Sequence, residues 1–301
     1  MAFRHRLMQR VKNAAYLSLG LTSQLSGAGL ARRRSEREGL LRILMYHKVS
    51  PLADNPPCVP PSLFRAQMEH LREHANPISV DDYLAARRGD RAMPPRPVLV
   101  TFDDGYRDTL EHAAPILSSL GIPALLFLPT SYIGHDRPLP HDEPLSYVGV
   151  ENPTLDWNGA RALLDHGFEI GSHGESHRVF SSLPANEQRA EIIRSKAILE
   201  DKLGRRVRCF AYVKGAPDSF TPETVRLVSE SGYQLGFSTL PGPVRLHDPP
   251  LTLRRYNVEP FSVYTFARLV AGDCDLIAWK DSRAGIAGKR LLNQVFGTAV
   301  E

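Results

Sequence analysis

Two short polar segments of the sequence carry side chains suited to binding a metal ion and moving protons. Asp103 and Asp104 are adjacent carboxylates followed by Gly105, and His173 and His177 lie four positions apart further along the chain. Two imidazoles and one carboxylate hold a divalent ion and leave coordination positions open, which is typical of catalytic rather than structural metal sites. These residue types therefore predict a metal-dependent hydrolase, with zinc as the first choice of metal.

Both segments follow strand-like runs. Residues 98–102 are apolar and rich in β-branched side chains, and Gly105 provides the turn that ends them. Phe168–Ser172 resembles a second strand end, and His173 and His177 share one face if the chain coils after it. Adjacent residues in a regular strand point to opposite faces, so both aspartates reach one site only if the strand breaks at Gly105. We therefore expect different roles for them at a strand's carboxyl end, where α/β folds place their chemistry.

Each segment alone has a simpler interpretation. An Asp-Asp-Gly sequence is usually a turn. An isolated HxxxH pair is more often two solvated histidines on a helix than a pair of metal ligands. Because the two segments occur together, each behind an apolar strand-like run, the metal site is favoured over both simpler interpretations.

Longer motifs around these residues resemble those of the polysaccharide deacetylases, also called the NodB-homology group or carbohydrate esterase family 4. TFDDGY at 101–106 resembles the family's first motif, and EIGSHGESH at 169–177 resembles its second. LMYHKV at 44–49 resembles the YHxV segment of the branch related to enzymes that de-N-acetylate biofilm β-1,6-linked N-acetylglucosamine polymers. CFAYVKG at 209–215 resembles the third motif, usually FAYPYG in such branches. The resemblance covers most of the chain, from about residue 42 to about residue 273.

The resemblance implies a role for each candidate residue. Asp103 would take a proton from the attacking water as general base. His47, from the YHxV segment, would act as general acid and donate to the departing nitrogen. The backbone N–H of Lys214 would help to stabilise the tetrahedral oxyanion. The implied metal ligands are Asp104, His173 and His177.

The third motif departs from the usual form. Val213 stands where the family usually has proline and Lys214 where it usually has tyrosine, although a backbone donor survives a change of side chain. Ala211 stands in place of an arginine that often braces the catalytic aspartate. The only histidine after His177 is His247, which lies in a proline-rich turn and does not match a late general-acid motif.

Strand-like and helix-like patterns alternate along the chain, which implies a largely parallel sheet. The resemblance sharpens this to an α/β fold, a distorted, incomplete (β/α)7 barrel with an N-terminal helical extension. The predicted strands are 42–46, 98–102, 123–129, 168–172, 207–212 and 234–238. The predicted helices are 62–74, 109–120, 158–166, 184–203 and 222–231. The predicted domains are a basic amphipathic extension at 1–38, a catalytic domain at 39–275 and a helical tail at 276–301.

The stretch between Thr130 and Asp156 contains proline, glycine and histidine without a clear period. It is long for a loop, so we expect either a lid or a wall of the substrate site. His135 and His141 within it are expected to be solvated rather than to bind metal.

Composition excludes other classes of protein. Of the 301 residues, 42% are hydrophobic and 23% are charged, as in ordinary globular proteins. The net charge is +4, and the positive balance is concentrated at the N-terminus without interleaved aromatic residues, so nucleic acid is not an expected partner. Three separate cysteines, Cys58, Cys209 and Cys274, indicate structural thiols rather than a disulfide framework or a cysteine-based zinc site.

The N-terminal segment has two interpretations. Its basic start, the apolar stretch 14–21 and the small residues that follow imitate a secretory signal, but polar residues interrupt it. The alternative is an amphipathic helix within residues 1–34 that contacts an anionic membrane surface or packs on the barrel. No run reaches the roughly 18 apolar residues that a transmembrane helix needs. The expected location is cytoplasmic or peripheral on the inner membrane, or periplasmic or secreted if the segment is a signal.

Together these features predict a hydrolase that removes N-acetyl groups from an N-acetylated sugar polymer or oligosaccharide and releases acetate. The expected cofactor is one divalent transition metal, Zn2+ first, with Ni2+, Co2+ or Fe2+ as alternatives. A catalytically silent carbohydrate-binding relative is one alternative, suggested by Val213 and Lys214, although retention of Asp103 argues against it. A metal-dependent esterase or amidase acting on a small molecule is another.

Overall fold

The structure of the protein is a computed structural model that describes residues 39–51, 58–146 and 152–275. The predicted extension at 1–38 and the predicted tail at 276–301 lie outside the described residues, so the domain boundaries stay a prediction. Among the described helices, none combines the length and the apolar character that crossing a membrane requires.

A parallel sheet organises the fold. Its strands are β1 (Arg42–Tyr46), β4 (Asn76–Pro77), β5 (Pro97–Phe102), β6 (Ala124–Leu128), β7 (Phe168–Ser172), β8 (Cys209–Ala211), β9 (Leu235–Phe237) and β10 (Tyr256–Asn257). Seven of these described strands pair in the order β10-β1-β5-β6-β7-β8-β9, and β4 pairs with β5 beside this path. All of these pairings are parallel. The predicted incomplete (β/α) barrel is therefore confirmed. A second, two-stranded sheet joins β2 (Lys48–Val49) and β3 (Cys58–Val59).

Helices connect the strands. They are α1 (Pro61–His74), α2 (Val80–Arg88), α3 (Ala114–Leu120), α4 (Glu143–Ser146), α5 (Trp157–Asp165), α6 (Ala185–Leu203), α7 (Pro222–Glu230) and α8 (Val263–Ala271). Helix α2 was not among the predicted helices, although Ser79 and Asp82 form a capping box at its start and Gly89 ends it in the left-handed conformation.

The predicted helix 109–120 is present, but its first half is π-helical rather than α-helical. Thr109–Ala113 form a π-helical turn, in which the N–H of Ala114 reaches back to the carbonyl of Thr109, and α3 begins only at Ala114. Pro115 supplies the reason, because it has no N–H for the regular bond to the residue four positions earlier.

Alternating residues of the strands pack into two separate cores. On β5, Val98, Val100 and Phe102 belong to the larger cluster, which includes residues of the surrounding helices. Leu99 belongs to the second cluster, together with Phe127 and residues of β8 and β9. Since strand side chains alternate, Thr101 and Asp103 continue the Leu99 side of the strand. Asp103 therefore enters the barrel interior.

Candidate functional site

Asp104 turns away from the strand through a left-handed backbone. Its φ is 76°, and that of Gly105 is 69°. The break thus starts at Asp104, one residue earlier than predicted, because aspartate tolerates this conformation better than most residues. A Cβ on Gly105 would lie 2.7 Å from the Leu128 side chain, so the turn also needs glycine for space. The two aspartates consequently leave the strand in different directions.

The predicted metal-binding side chains lie together. The Nε2 of His177 is 3.0 Å from Asp104 Oδ1, and the Nε2 of His173 is 3.4 Å from the same oxygen. Asp104 and His173 are buried. Two donors of one tetrahedral zinc ion, each about 2.0–2.2 Å from the metal, are about 3.3 Å apart. The side chains present therefore fit a divalent ion, while the ligand roles themselves stay a prediction.

A backbone carbonyl orients His173. Its Nδ1 lies 2.8 Å from the carbonyl oxygen of Ala211. A carbonyl only accepts, so Nδ1 carries the proton and, in the neutral ring, Nε2 keeps the lone pair that a metal needs. Burial lowers the pKa of His173, but hydrogen bonding to Asp104 and the charge of Asp103 outweigh it and raise that pKa above its ordinary value.

Glu191 of α6 holds the loop that carries His177. Its Oε2 accepts hydrogen bonds from the backbone N–H groups of Glu175 at 2.9 Å and Ser176 at 2.8 Å, and its Oε1 accepts from the Ser176 hydroxyl. His177 itself has a φ of 56°. This strained turn, fixed from behind by a nearly buried carboxylate, points the imidazole at Asp104.

Asp103 pairs with Arg255, which sequence reasoning missed. The guanidinium donates two hydrogen bonds to the carboxylate, from Nη1 to Oδ1 at 2.7 Å and from Nη2 to Oδ2 at 2.8 Å. Arg255 is fully buried, donates from Nε to the Ser238 carbonyl, and lies over the Phe127 ring. Burial alone would raise the pKa of Asp103, but the Arg255 charge holds it below its usual value. Asp103 is therefore ionised.

Arg255 supplies the bracing guanidinium that Ala211 cannot provide. A signal was available, because Leu251, Leu253 and Arg255 alternate as the inward-facing residues of a strand do. An arginine at such a position requires a buried partner.

His47 and Lys214 are the two remaining predicted site residues. Burial raises the pKa of Asp103 and Asp104, and the charge of His47 acts with closer partners of each carboxylate to lower it. The Nδ1 of His47 is buried without a hydrogen-bond partner among the described residues. The exposed Lys214 side chain pairs with Asp218 at 3.4 Å, and its backbone is left-handed with a φ of 63°. The Lys214 side chain is thus engaged away from the carboxylates by Asp218, and the catalytic roles of both residues stay predictions.

His135 and His141 belong to the stretch between Thr130 and Asp156. His135 is exposed, as predicted. His141 keeps 44% of its side chain exposed, yet its Nε2 lies 3.5 Å from Asp104 Oδ2. Asp104, His141 and His177 offer donor atoms within 4.8 Å of one another, a grouping that could hold a metal ion. The expectation that His141 is solvated rather than metal-binding stays untested, although the structure places it beside Asp104.

Known proteins resemble this chain in sequence and in fold. Residues 90–236 match the sequence model of the polysaccharide deacetylase family. YxkH of Bacillus subtilis strain 168, named as a candidate polysaccharide deacetylase, is 27% identical over 228 residues, which cover 75% of this chain and 74% of YxkH. The solved structure of IcaB from Ammonifex degensii is 26% identical, with a TM-score of 0.65, and the match covers 78% of this chain and 97% of IcaB.

A shorter match adds to these. A stretch of 65 residues is 37% identical to the poly-beta-1,6-N-acetyl-D-glucosamine N-deacetylase of Escherichia coli K12, and it covers 21% of this chain but 10% of that protein. The fold and the grouped carboxylates and imidazoles define a NodB-type hydrolase domain. The chain carries a polysaccharide deacetylase domain, which residues 90–236 match.

Proposed function

We propose that the protein is a metal-dependent deacetylase that removes N-acetyl groups from an N-acetylated glycan, with Zn2+ as its metal. The observation that carries this proposal is the pair of adjacent carboxylates with separate partners. Asp104 faces the imidazoles of His173 and His177, and Asp103 stays ionised beside Arg255. An amide carbonyl is a poor electrophile and its amine a poor leaving group, so hydrolysis needs both polarisation and proton transfer.

The two carboxylates divide this chemistry. A divalent ion held by Asp104, His173 and His177 would polarise the acetyl oxygen and make a bound water more acidic. Asp103 would accept the proton of the attacking water. Its two oxygens already accept from Arg255, but each carboxylate oxygen has a second lone pair. Arg255 therefore orients the base and keeps it ionised without occupying all of its acceptor capacity.

The remaining steps fall to His47 and Lys214. His47 would donate a proton to the departing amine, and its unpartnered Nδ1 leaves one ring nitrogen uncommitted to the described residues. The backbone N–H of Lys214 would donate to the oxyanion, a contribution of about 2.7–4 kcal/mol in acyl-transfer enzymes. The left-handed turn at Lys214 is held because its carbonyl accepts a hydrogen bond from the Thr239 hydroxyl at 2.8 Å.

A polymeric or oligomeric sugar is the proposed substrate. The Escherichia coli relative is named for deacetylation of a β-1,6-linked N-acetylglucosamine polymer. A cleft of about 640 Å³ is bordered by Arg107, by residues of the loop after Thr130, and by Asp142, which follows His141 in the chain. Such a volume lies within the range of small-molecule sites and has room for a sugar unit.

Acetate release from a panel of N-acetylated glycans, measured with and without a chelator, tests the proposal. We expect release from at least one glycan, loss of activity with chelator, and recovery when Zn2+ is returned. Activity confined to simple acetyl esters would instead support the small-molecule esterase. Chelator-resistant activity would contradict metal dependence, and the Asp103→Asn protein serves as the inactive control.

A further inference from the structure

Two residues of the sequence motifs have no role in the proposed reaction, although the fold buries both of their polar side chains. Lys48 belongs to the YHxV segment, and Tyr106 ends the TFDDGY segment. Their common partner is the buried carboxylate of Asp142, which belongs to the loop after Thr130. Three segments that are distant in sequence therefore meet at one carboxylate.

The Asp142 carboxylate is held through both of its oxygens. The Lys48 ammonium donates to Oδ1 at 2.8 Å, and the Tyr106 hydroxyl donates to Oδ2 at 2.7 Å. Lys48 Nζ also lies 4.6 Å from the centre of the Tyr106 ring, within the range of a cation–π contact. Buried charges are costly unless they are paired and hydrogen-bonded, so loss of either partner leaves an uncompensated charge. The three side chains therefore hold one another in place.

These contacts fix a turn that lies beside the candidate site. Within the turn, the backbone N–H of Asp142 donates to the carbonyl of Leu139 at 2.8 Å. His141 has its Nε2 2.7 Å from the Tyr106 hydroxyl and 3.5 Å from Asp104 Oδ2. Tyr106 is only two positions after Asp104, so one side chain ties the turn to the strand end that carries the candidate metal ligand.

The same turn forms part of the wall of the 640 Å³ cleft. Asp142 borders that cleft together with Arg107 and the exposed residues 134–137. Backbone hydrogen bonds hold the beginning of the loop to the segment that carries His177. Leu139 packs in a small apolar cluster with two tyrosines. Because this cluster is small, the position of the later part of the loop depends strongly on the partners of Asp142.

We propose that Lys48, Tyr106 and Asp142 are positioning residues that set this turn as a wall of the substrate site and so favour glycan chains over small acetylated molecules. The inference rests on the proposed function, because it assigns the cleft to a sugar unit next to the one that loses its acetyl group. Contacts with a neighbouring unit are the same before and during the reaction. They therefore lower KM for a chain without raising kcat.

Kinetics with a chain and with a small ester test this inference. The proteins are wild type, Tyr106→Phe, Lys48→Met and Tyr256→Phe. Tyr256→Phe is the matched control, because the Tyr256 hydroxyl donates to Asp275 at 2.6 Å and Arg42, at the amino end of β1, pairs with the same carboxylate. The substrates are the pentamer of β-1,6-linked N-acetylglucosamine and p-nitrophenyl acetate.

Amide hydrogen exchange of residues 139–146 reports the position of the turn without relying on turnover. We expect faster exchange there in Tyr106→Phe, whereas exchange in α1 should stay as in wild type. KM for the pentamer should rise by up to roughly tenfold, the effect of one lost hydrogen bond, with a far smaller change in kcat. The ester has no neighbouring sugar unit, so its kcat/KM should fall by a much smaller factor. Tyr256→Phe should match wild type in every measurement.

Lys48→Met should show the same pattern with a larger effect, because it leaves the Asp142 charge uncompensated. If this variant does not fold, Tyr106→Phe decides the question alone. A wild-type KM for the pentamer in Tyr106→Phe would overturn the inference.

Two other results would also overturn it. Equal losses on the pentamer and the ester would show that these residues support the fold as a whole. A raised KM without faster exchange at 139–146 would show that Tyr106 contacts the substrate itself. If wild type releases no acetate from the pentamer, the proposed substrate fails first and this inference fails with it.

Discussion

Asp103 and Asp104 are chemically identical neighbours in completely different surroundings. Asp103 lies in the barrel interior, held by the buried guanidinium of Arg255. Asp104 lies at the strand end among the imidazoles of His173 and His177, with no arginine paired to it among the described residues. The pKa of both carboxyls is held below the usual value against the effect of burial, in one case mainly by Arg255 and in the other by hydrogen bonds from His173 and His177.

Both aspartates are buried, so their different chemistry comes from the kind of side chain that each one faces. A guanidinium never gives up its protons in a protein, so it makes Asp103 a permanently oriented anion. An imidazole can exchange a proton for a metal ion, so Asp104 has partners that recruit a cofactor. We therefore propose that Asp103 serves as a proton acceptor and Asp104 as a metal ligand.

Exchanging each carboxylate for an amide should separate the two pockets most strongly. Asp103→Asn should keep Zn2+ and lose roughly 10²–10⁴-fold in turnover, because the acceptor for the water proton is gone. Asp104→Asn should weaken Zn2+ binding itself. Acetate release and metal content of the purified variants are the measurements. Normal metal binding and normal turnover in both variants would reduce the pair to a turn.

The charge of His47 helps to lower the pKa of both Asp103 and Asp104. Replacing His47 tests whether it donates the proton to the leaving group. His47→Ala should slow amide cleavage by roughly 10²–10⁴-fold, because a poor leaving group needs a proton donor. An activated acetyl ester, whose leaving group departs without a proton, should be affected far less. Equal losses on both substrates, with a lower unfolding midpoint, would show that His47 only supports the fold.

Arg255→Met tests how much the buried ion pair between Arg255 and Asp103 contributes to the stability of the fold. Removing one partner of a buried ion pair leaves an uncompensated charge and costs about 3–5 kcal/mol in the free energy of unfolding. Urea denaturation is the measurement, and Arg65→Met, at an exposed arginine of α1, provides the control. A loss below about 1 kcal/mol would show that water reaches Asp103 and that the pocket is not dry.

Asp108 is a third carboxylate whose pKa is shifted by burial, and neither an arginine nor a histidine is among the main causes of that shift. Burial, only partly offset by a Val49 backbone hydrogen bond and the Lys48 charge, raises its pKa to about 7, and its Oδ1 has no hydrogen-bond partner among the described residues. The folded state then holds a proton that the unfolded chain has lost, so this group reduces stability as pH rises from about 4 to about 7.

Asp108→Asn should remove that pH dependence. Relative to wild type, the variant should gain roughly 2–4 kcal/mol in the free energy of unfolding between pH 4 and pH 8. Urea unfolding at both pH values measures it. An unchanged difference between the two proteins would mean that Asp108 is ionised in the folded state at both.

The smallest expected effect concerns protons that compete with the metal. His173 has a raised pKa and must lose a proton before binding an ion, so Zn2+ affinity should fall by up to about tenfold per pH unit below that pKa. Since Asp103 helps to raise it, Asp103→Asn should move this dependence to lower pH. Chelator competition across pH 5 to 8 measures both. An identical pH profile in the two proteins would show that the pockets are electrostatically separate.

Local sequence pattern predicted much of the site. The strand preceding Asp103, the strand preceding His173 and the turn at Gly105 follow from apolar runs and from glycine, which are short-range properties. The motif resemblance predicted that residues of two separate segments form one site. The structure places His173 and His177 3.4 and 3.0 Å from Asp104.

Other features were decided only by the tertiary structure. Arg255 meets Asp103 across 152 positions of the chain, and Tyr106 meets Asp142 across 36. The register of β1, β5 and β10 and the path of the loop after Thr130 determine these pairs, and no local period encodes either. Buried charges and polar groups need partners, but the sequence does not state which distant residue will supply them. The amino-acid sequence by itself thus determined which residues could do the chemistry. The packing of distant strands and loops decided which partner orients each of these side chains.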